Sequence, residues 1–246
     1  MKVDAGIQRR LLDLADADAE LARLAHRSTH LPEDAELAEL AEKVDVARDD
    51  QVRAEISAED LAREYQRIDG EVTGMSAREA KDSAQLTAGG LAPKALSELQ
   101  HELTSLTRRR SGLEEDLLAI MEQQEAVSGE QQRAAATVDH LNAEITATSE
   151  RRAAELERIE ADRIVAAERR DELAADIVPE LLAVYDRQRA AGKIGAGLLR
   201  ARRCGACRME LDRGTIAAIA AKQPDDVVRC EECGAVLVRT TESGLP

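Results

Sequence analysis

The sequence predicts a mainly α protein, built as a long antiparallel coiled-coil hairpin with a small C-terminal β module. Three observations carry this. Apolar residues recur at alternating three- and four-residue spacing through most of the chain. A Gly-Gly pair followed by Pro93 breaks that pattern near its middle. All four cysteines lie in two CxxC pairs near the end, Cys204-Gly205-Ala206-Cys207 and Cys230-Glu231-Glu232-Cys233, with 22 residues between them.

Composition excludes an ordinary compact core. Among 246 residues there is no Phe and no Trp, only two Tyr, and 34% are charged. Aromatic side chains normally fill much of a globular interior, so a thin helix–helix seam with broad exposed faces is expected. The net charge of −15 is unevenly placed. Residues 1–179 hold 23 Lys/Arg against 40 Asp/Glu, and residues 180–246 hold 11 against 9. An acidic helical region repels nucleic acid and anionic membranes. No stretch reaches the roughly 18 apolar residues of a membrane span. The first residues, Met1-Lys2-Val3-Asp4, lead into a charged amphipathic pattern without the apolar segment of a signal peptide. With paired CxxC motifs, this favours a reduced, cytoplasmic setting and metal thiolates over disulfides.

Residues 1–27 place Ile7, Leu11, Leu14, Leu21 and Leu24 on one helical stripe, interrupted by Asp18. Pro32 predicts a kink or short turn near 28–33. From Leu37 a strict 3-4 series follows: Leu40, Val44, Ala47, Gln51, Ala54, Ala58, Leu61, Tyr65, Ile68, Val72 and Met75. Over this length the heptad reading is strong. After Met75 the apolar pattern stops, and Gly89-Gly90 with Pro93 predicts the hairpin tip near 87–93. A second series runs from Leu96 through Leu99, Leu103, Leu106, Arg110, Leu113, Leu117 and Ile120 to Leu141 and Ile145. A four-residue skip near Ser149 then leads to Leu156 and Ile159. Folding about Gly89-Gly90 pairs residue n with about 180 − n, so 1–86 can lie along 94–178, a hairpin of about 130 Å. The expected domains are therefore 1–178, the hairpin, and 179–246, a short helix plus a ribbon.

Pro179 suits the first turn of that helix, Glu180–Arg189, and Gly192–Gly197 reads as a flexible strap. Each CxxC turns the backbone so that two thiolates aim at one point. Four thiolates suit one structural Zn²⁺ in a closed tetrahedral shell, with Cys204, Cys207, Cys230 and Cys233 as ligands. An iron site of the rubredoxin type wants an aromatic core, which this segment lacks. A redox dithiol needs only one CxxC in a βαβ setting. No nucleophile with a recognisable base and no phosphate loop is found, so no enzyme is expected. Such a small module cannot build a sufficient core alone, and the metal should supply much of its folding free energy. Basic residues gather on the approach to the ribbon: Arg187, Arg189, Lys193, Arg200, Arg202 and Arg203, followed by Arg208. They could contact a partner or phosphates, or simply neutralise the thiolate centre.

The combination resembles a bacterial family of coiled-coil proteins ending in a C4-type zinc ribbon, a domain of unknown function. The resemblance covers nearly the whole chain. It rests on Gly89-Gly90-Leu91-Ala92-Pro93-Lys94-Ala95-Leu96, Leu113-Glu114-Glu115-Asp116, Met121-Glu122, Pro179-Glu180-Leu181-Leu182, Tyr185 and the two knuckles. It implies a long hairpin with a C-terminal zinc ribbon. Relatives include a flagellar-biogenesis regulator that contacts an alternative sigma factor and flagellin messenger RNA, and a protein associated with type III secretion. The resemblance thus implies adaptor behaviour. One departure is Cys233-Gly234-Ala235-Val236-Leu237, where relatives often carry Arg-Ile, so a basic residue beside the second knuckle is missing. The reading is a non-enzymatic zinc-binding scaffold or adaptor for protein partners. The alternative is an RNA- or DNA-binding regulator using the basic patch.

Overall fold

The computed structural model describes residues 1–245, and helix dominates it. In chain order come α1 (Ala5–Ser28), α2 (Pro32–Ala88), α3 (Pro93–Ala175) and α4 (Pro179–Ala190). A small module follows with β1 (Ala196–Arg200), β2 (Arg203–Cys204), α5 (Arg213–Ala220), β3 (Val236–Val238) and a 3-10 turn, Thr241–Ser243. Two compact units result. One is residues 35–150; the other joins residues 1–34 to the chain from Arg151 onward.

In the first unit α2 and α3 run antiparallel. Leu40, Val44 and Ala47 pack with Leu141, flanked by Val138 and Ile145. Arg78 pairs with Glu102, and Arg109 with Glu71. Every seam position from Leu37 to Met75 is buried or half-buried. The reverse is at Gly89 and Gly90, whose φ values of 72° and 85° lie where side chains are disfavoured. Two sequence expectations change. The seam does not stop at Met75: Glu79, Asp82 and Leu86 stay half-buried at the same spacing. Its polarity hid it, and Glu79 is there because Arg110 reaches across to it (Nε–Oε2 3.0 Å) while also holding Glu114. Leu96 is 38% exposed, and Ala95 takes the more inward position beside the tip.

The second unit begins with Asp4, whose carboxylate caps α1 by accepting from the Gly6 and Ile7 N–H groups. Leu11 and Leu14 are fully buried with Val3, Ala174, Ile177, Leu181, Tyr185, Ala196 and Val236. This cluster joins α1, the end of α3, α4 and the sheet. Leu24 near the end of α1 and Leu31 in the turn before α2 pack on Ile159. Ion pairs stitch the same helices on the outside, Arg27 to Glu155 and Arg152 to Asp34.

Asp18 is the exception in this apolar stripe, and its role is visible only in three dimensions. Its side chain is 10% exposed. It accepts a hydrogen bond from the Tyr185 hydroxyl (2.7 Å) and pairs with Arg170 (3.3 Å) and Arg189 (3.1 Å). Arg170 reaches on to Asp186 (2.8 Å). One carboxylate therefore ties α1 to α3 and α4. A charge this deep is tolerated because every oxygen has a cationic or hydroxyl partner.

Two predictions follow from this knot. Asp18→Ala leaves the largely buried Arg170 guanidinium with Asp186 but without Asp18, and strips the Tyr185 hydroxyl and Arg189 of their shared acceptor; it should cost about 3 kcal/mol in denaturant unfolding of the metal-loaded protein. Adding Arg170→Met should recover much of it. Burial, aided by the bond to Asp18, pushes the Tyr185 phenol well above the usual tyrosine range. A raised acid stabilises the fold fully below its unfolded pKa and loses that contribution as pH climbs past it. Thermal stability should therefore drop above pH ~10, and Tyr185→Phe should blunt that drop without moving the neutral-pH baseline in the same sense.

Candidate metal centre

The two knuckles fold alike. In each, the N–H of the residue after the second cysteine returns to the carbonyl of the first: Arg208 to Cys204 (2.8 Å) and Gly234 to Cys230 (2.9 Å). The first cysteine's N–H then meets the carbonyl two residues past the second cysteine, Cys204 to Met209 (3.0 Å) and Cys230 to Ala235 (2.8 Å). The residue that closes each turn has positive φ, 81° at Gly234 and 64° at Arg208. Glycine is the usual solution there; the first knuckle achieves it with an arginine.

This geometry gathers the four thiols within 4.8 Å of one another. Cys204 and Cys233 sulfurs are 3.9 Å apart, as are those of Cys207 and Cys230. A tetrahedral Zn²⁺ with Zn–S of about 2.3 Å needs sulfurs roughly 3.8 Å apart, so the residues fit one structural zinc with a complete shell. Cys204 and Cys230 are buried, and Cys207 and Cys233 half-buried. Without a cation, burial pushes the Cys204 thiol up to about 12 and the Cys233 thiol upward. Hydrogen bonding from the Met209 backbone draws the Cys207 thiol down. A bound dication makes all four thiolates, so binding releases protons and acid should release the metal.

The sheet has the order β2-β1-β3, with β1 central, antiparallel to β2 and parallel to β3. Its two faces serve two cores. Val236 and Ala196 join the helical cluster described above, while Leu199 and Leu237 pack with Cys204, Cys230, Leu211, Ile216, Ile219 and Val228 around the metal. The segment read as a flexible strap is only partly one. Gly195, Ala196 and Gly197 are buried. A Cβ at Gly195 would lie 2.4 Å from the Tyr185 ring, and one at Gly197 2.4 Å from the Ala206 nitrogen. These glycines allow close packing. From α4, Gln188 donates to the Cys233 carbonyl (3.1 Å) and accepts from Arg229 (2.7 Å) in the amide orientation that satisfies both.

Several features escaped the sequence reading. Helix α5 lies between the knuckles, capped by Asp212, which accepts from Gly214 and Thr215 N–H groups. The spacing of Ile216 and Ile219 after an Asp was the available signal. Arg239 is a clamp: its guanidinium donates to the carbonyls of Ile219, Lys222, Gln223, Pro224 and Asp226. The N-terminus also joins the module. Val3 N–H meets Asp225 O (2.8 Å), Val227 N–H meets Met1 O (3.0 Å), and Lys2 pairs with Asp225. Gln8, 3% exposed, donates to the carbonyls of Val3 and Pro224.

The basic residues do not form one free surface. Arg189 holds Asp18, Arg200 meets Glu242 (3.3 Å), and Arg202 and Arg203 both reach Glu210 (3.6 and 3.2 Å). Arg187, Lys193 and Arg208 have no ion-pair partner among the described residues. The turn carrying Arg202 is a two-residue hairpin closed by Arg200 and Arg203, with Ala201 and Arg202 both at positive φ.

Metal removal is the direct test of the centre. Native protein should hold one zinc per chain; a chelator, or Cys204→Ser with Cys207→Ser, should abolish it. Far-ultraviolet circular dichroism should stay largely helical, while amide protection of residues 196–238 collapses.

Residues 14–193 match the CT398-like coiled coil hairpin domain, and residues 203–237 match the C4-type zinc ribbon domain. An uncharacterized protein of Mycobacterium tuberculosis is 41% identical over 239 residues, covering 97% of this chain and 98% of its own. A Mycobacterium leprae protein is 29% identical over 225 residues, covering 91% and 96%. A solved structure from Mycobacterium smegmatis, 42% identical, superposes with a TM-score of 0.84 over 97% of this chain and all of that one. CT398 from Chlamydia trachomatis shares the fold at 19% identity, with a TM-score of 0.65 over 96% and 98%. The chain belongs to the CT398-like coiled-coil hairpin family and carries that family's hairpin joined to a C4-type zinc ribbon.

Proposed function

We propose that this zinc-binding scaffold is a non-enzymatic, cytoplasmic adaptor that holds protein partners through its helices and ribbon. The observation that carries it is the closed metal shell. All four cysteines face one another, which leaves no coordination position for a substrate or an activated water. The zinc then acts through the fold, and the exposed helical faces are what remains to bind. No described helix is long and apolar enough to cross a membrane. Protein is favoured over nucleic acid as the partner because Arg200, Arg202 and Arg203 are engaged by Glu242 and Glu210, and no aromatic side chain is available there to stack on bases.

The test is chemical cross-linking in native cells, comparing wild type with Cys204→Ser/Cys207→Ser. Discrete protein partners should be captured, some lost only in the variant. RNA or DNA binding at physiological salt that disappears when Arg187, Lys193 and Arg208 become Ala would replace this reading with a nucleic-acid regulator.

A further inference from the structure

We propose that the flank of the α2–α3 pair carrying Leu118 and Met121 docks a basic amphipathic helix of a partner protein. This rests on the adaptor reading and gives it a location. With Val44 and Leu117 at a positions of their heptads, the ion pairs Arg78–Glu102 and Arg109–Glu71 join g positions. Both helices therefore turn their g residues to one flank and their e and b residues to the other. Along residues 52–70 of α2, no ion pair among the described residues crosses the e/b flank.

That flank is apolar at its centre. Val52 of α2 and Leu118 and Met121 of α3 hold e and b positions, with Ile56 at the rim. All four are 50–61% exposed. Arg109 meets Glu71, so Leu118 and Met121 lie level with roughly residues 59–66 of α2, and the four side chains make a stripe about 20 Å long. Ala62 is the e residue of α2 at that level, too small to fill the groove between the helices. Single exposed apolar residues are ordinary. Here four of the six exposed large apolar side chains in residues 35–150 share one flank.

Charge selects the partner. Over residues 52–70 of α2 and 111–132 of α3, the e, b and f positions hold seven acidic residues and one cation, Arg63, which Glu59 and Asp60 already engage. Arg110 in the seam is held by Glu79 and Glu114. Glu55, Asp69, Glu115, Glu122 and Glu125 are exposed and have no ion-pair partner among the described residues. The nearest cations at equivalent positions, Arg48 and Arg108, lie beyond the ends of the stripe. An apolar stripe edged by free carboxylates suits a helix with aliphatic side chains on one face and Lys or Arg beside them. A second copy pairing through the same flank would set these carboxylates against one another, and anionic lipid or nucleic acid meets the same repulsion.

The test uses the full-length, zinc-loaded chain. A fluorescein-labelled peptide of about 18 residues, with Leu at i, i+3, i+4 and i+7 and Lys beside them, is titrated by fluorescence anisotropy. Two double variants probe the flank. Leu118→Gln with Met121→Gln removes apolar surface at constant charge, and Glu122→Lys with Glu125→Lys reverses the edge. Each should weaken binding about tenfold or more with unchanged melting. Glu39→Lys with Glu42→Lys, the same charge change outside the stripe, should not. Unchanged affinity in either flank variant, an equal loss in the Glu39/Glu42 control, or no binding overturns the proposal. A photo-cross-linker at Leu118 or at Ile194 in native cells separates the two readings. A basic helical segment captured at Leu118, and lost with Glu122→Lys/Glu125→Lys, supports both. Partners captured at Ile194 but not Leu118 remove this flank and keep the adaptor; none at either removes the adaptor. Leu118 joining an acidic partner or a second copy of this chain overturns the basic helix.

Discussion

A single carboxylate inside an apolar stripe sets the architecture around the metal. Asp18 fixes the Tyr185 ring through its hydroxyl and holds Arg170 and Arg189 beside it. The placed ring is the surface on which Gly195 lies, and β1 starts at the next residue. The Leu198 carbonyl of β1 accepts the Gly205 N–H inside the first knuckle (2.9 Å). From α1 to the thiols, each contact fixes the position of the next. Burying this charge is not a source of net stability by itself, since its desolvation offsets much of the attraction. What it contributes is one orientation of α4, which an apolar pair would leave less defined.

The ribbon compensates for its lack of aromatic side chains in three ways. Zinc cross-links both knuckles. Arg239 satisfies a run of carbonyls between α5 and the second knuckle, groups that would otherwise be stranded in a turn-rich segment. And the sheet borrows core from the helices, with Val236 turned toward Leu11 and Leu181 while its neighbour Leu237 faces the metal. Metal affinity and helix packing are thereby linked through adjacent residues of one short strand.

Much of this could be read from the sequence, and the exceptions share a cause. The heptad seam, the Gly89-Gly90 reverse and the thiol cluster are local patterns, legible within a few turns of chain. Apart from α5, whose cap and apolar spacing are local, the features that were missed depend on partners the local pattern does not show. Asp18 looked like a flaw because its hydroxyl partner lies 167 positions away. Glu79 and Asp82 looked like the end of a seam because polarity, not spacing, changed there. The arginines before the first knuckle read as an unopposed patch because Glu210 and Glu242 arrive from later turns. Periodicity reports which face is inward; it carries no information about which distant charge will meet it.

The pairing of Lys2 with Asp225, 223 positions later, has a consequence for how the chain is made. Residues 1–3 leave the ribosome long before the backbone they will pair with has been synthesised. The hairpin can close outward from the Gly89-Gly90 reverse, each pair bringing the next within reach, but this edge of the ribbon waits for Asp225 and Val227. Contacts of such high sequence separation are slow to close. The N-terminal segment should therefore seal the module as a late event, after zinc has already drawn the knuckles together.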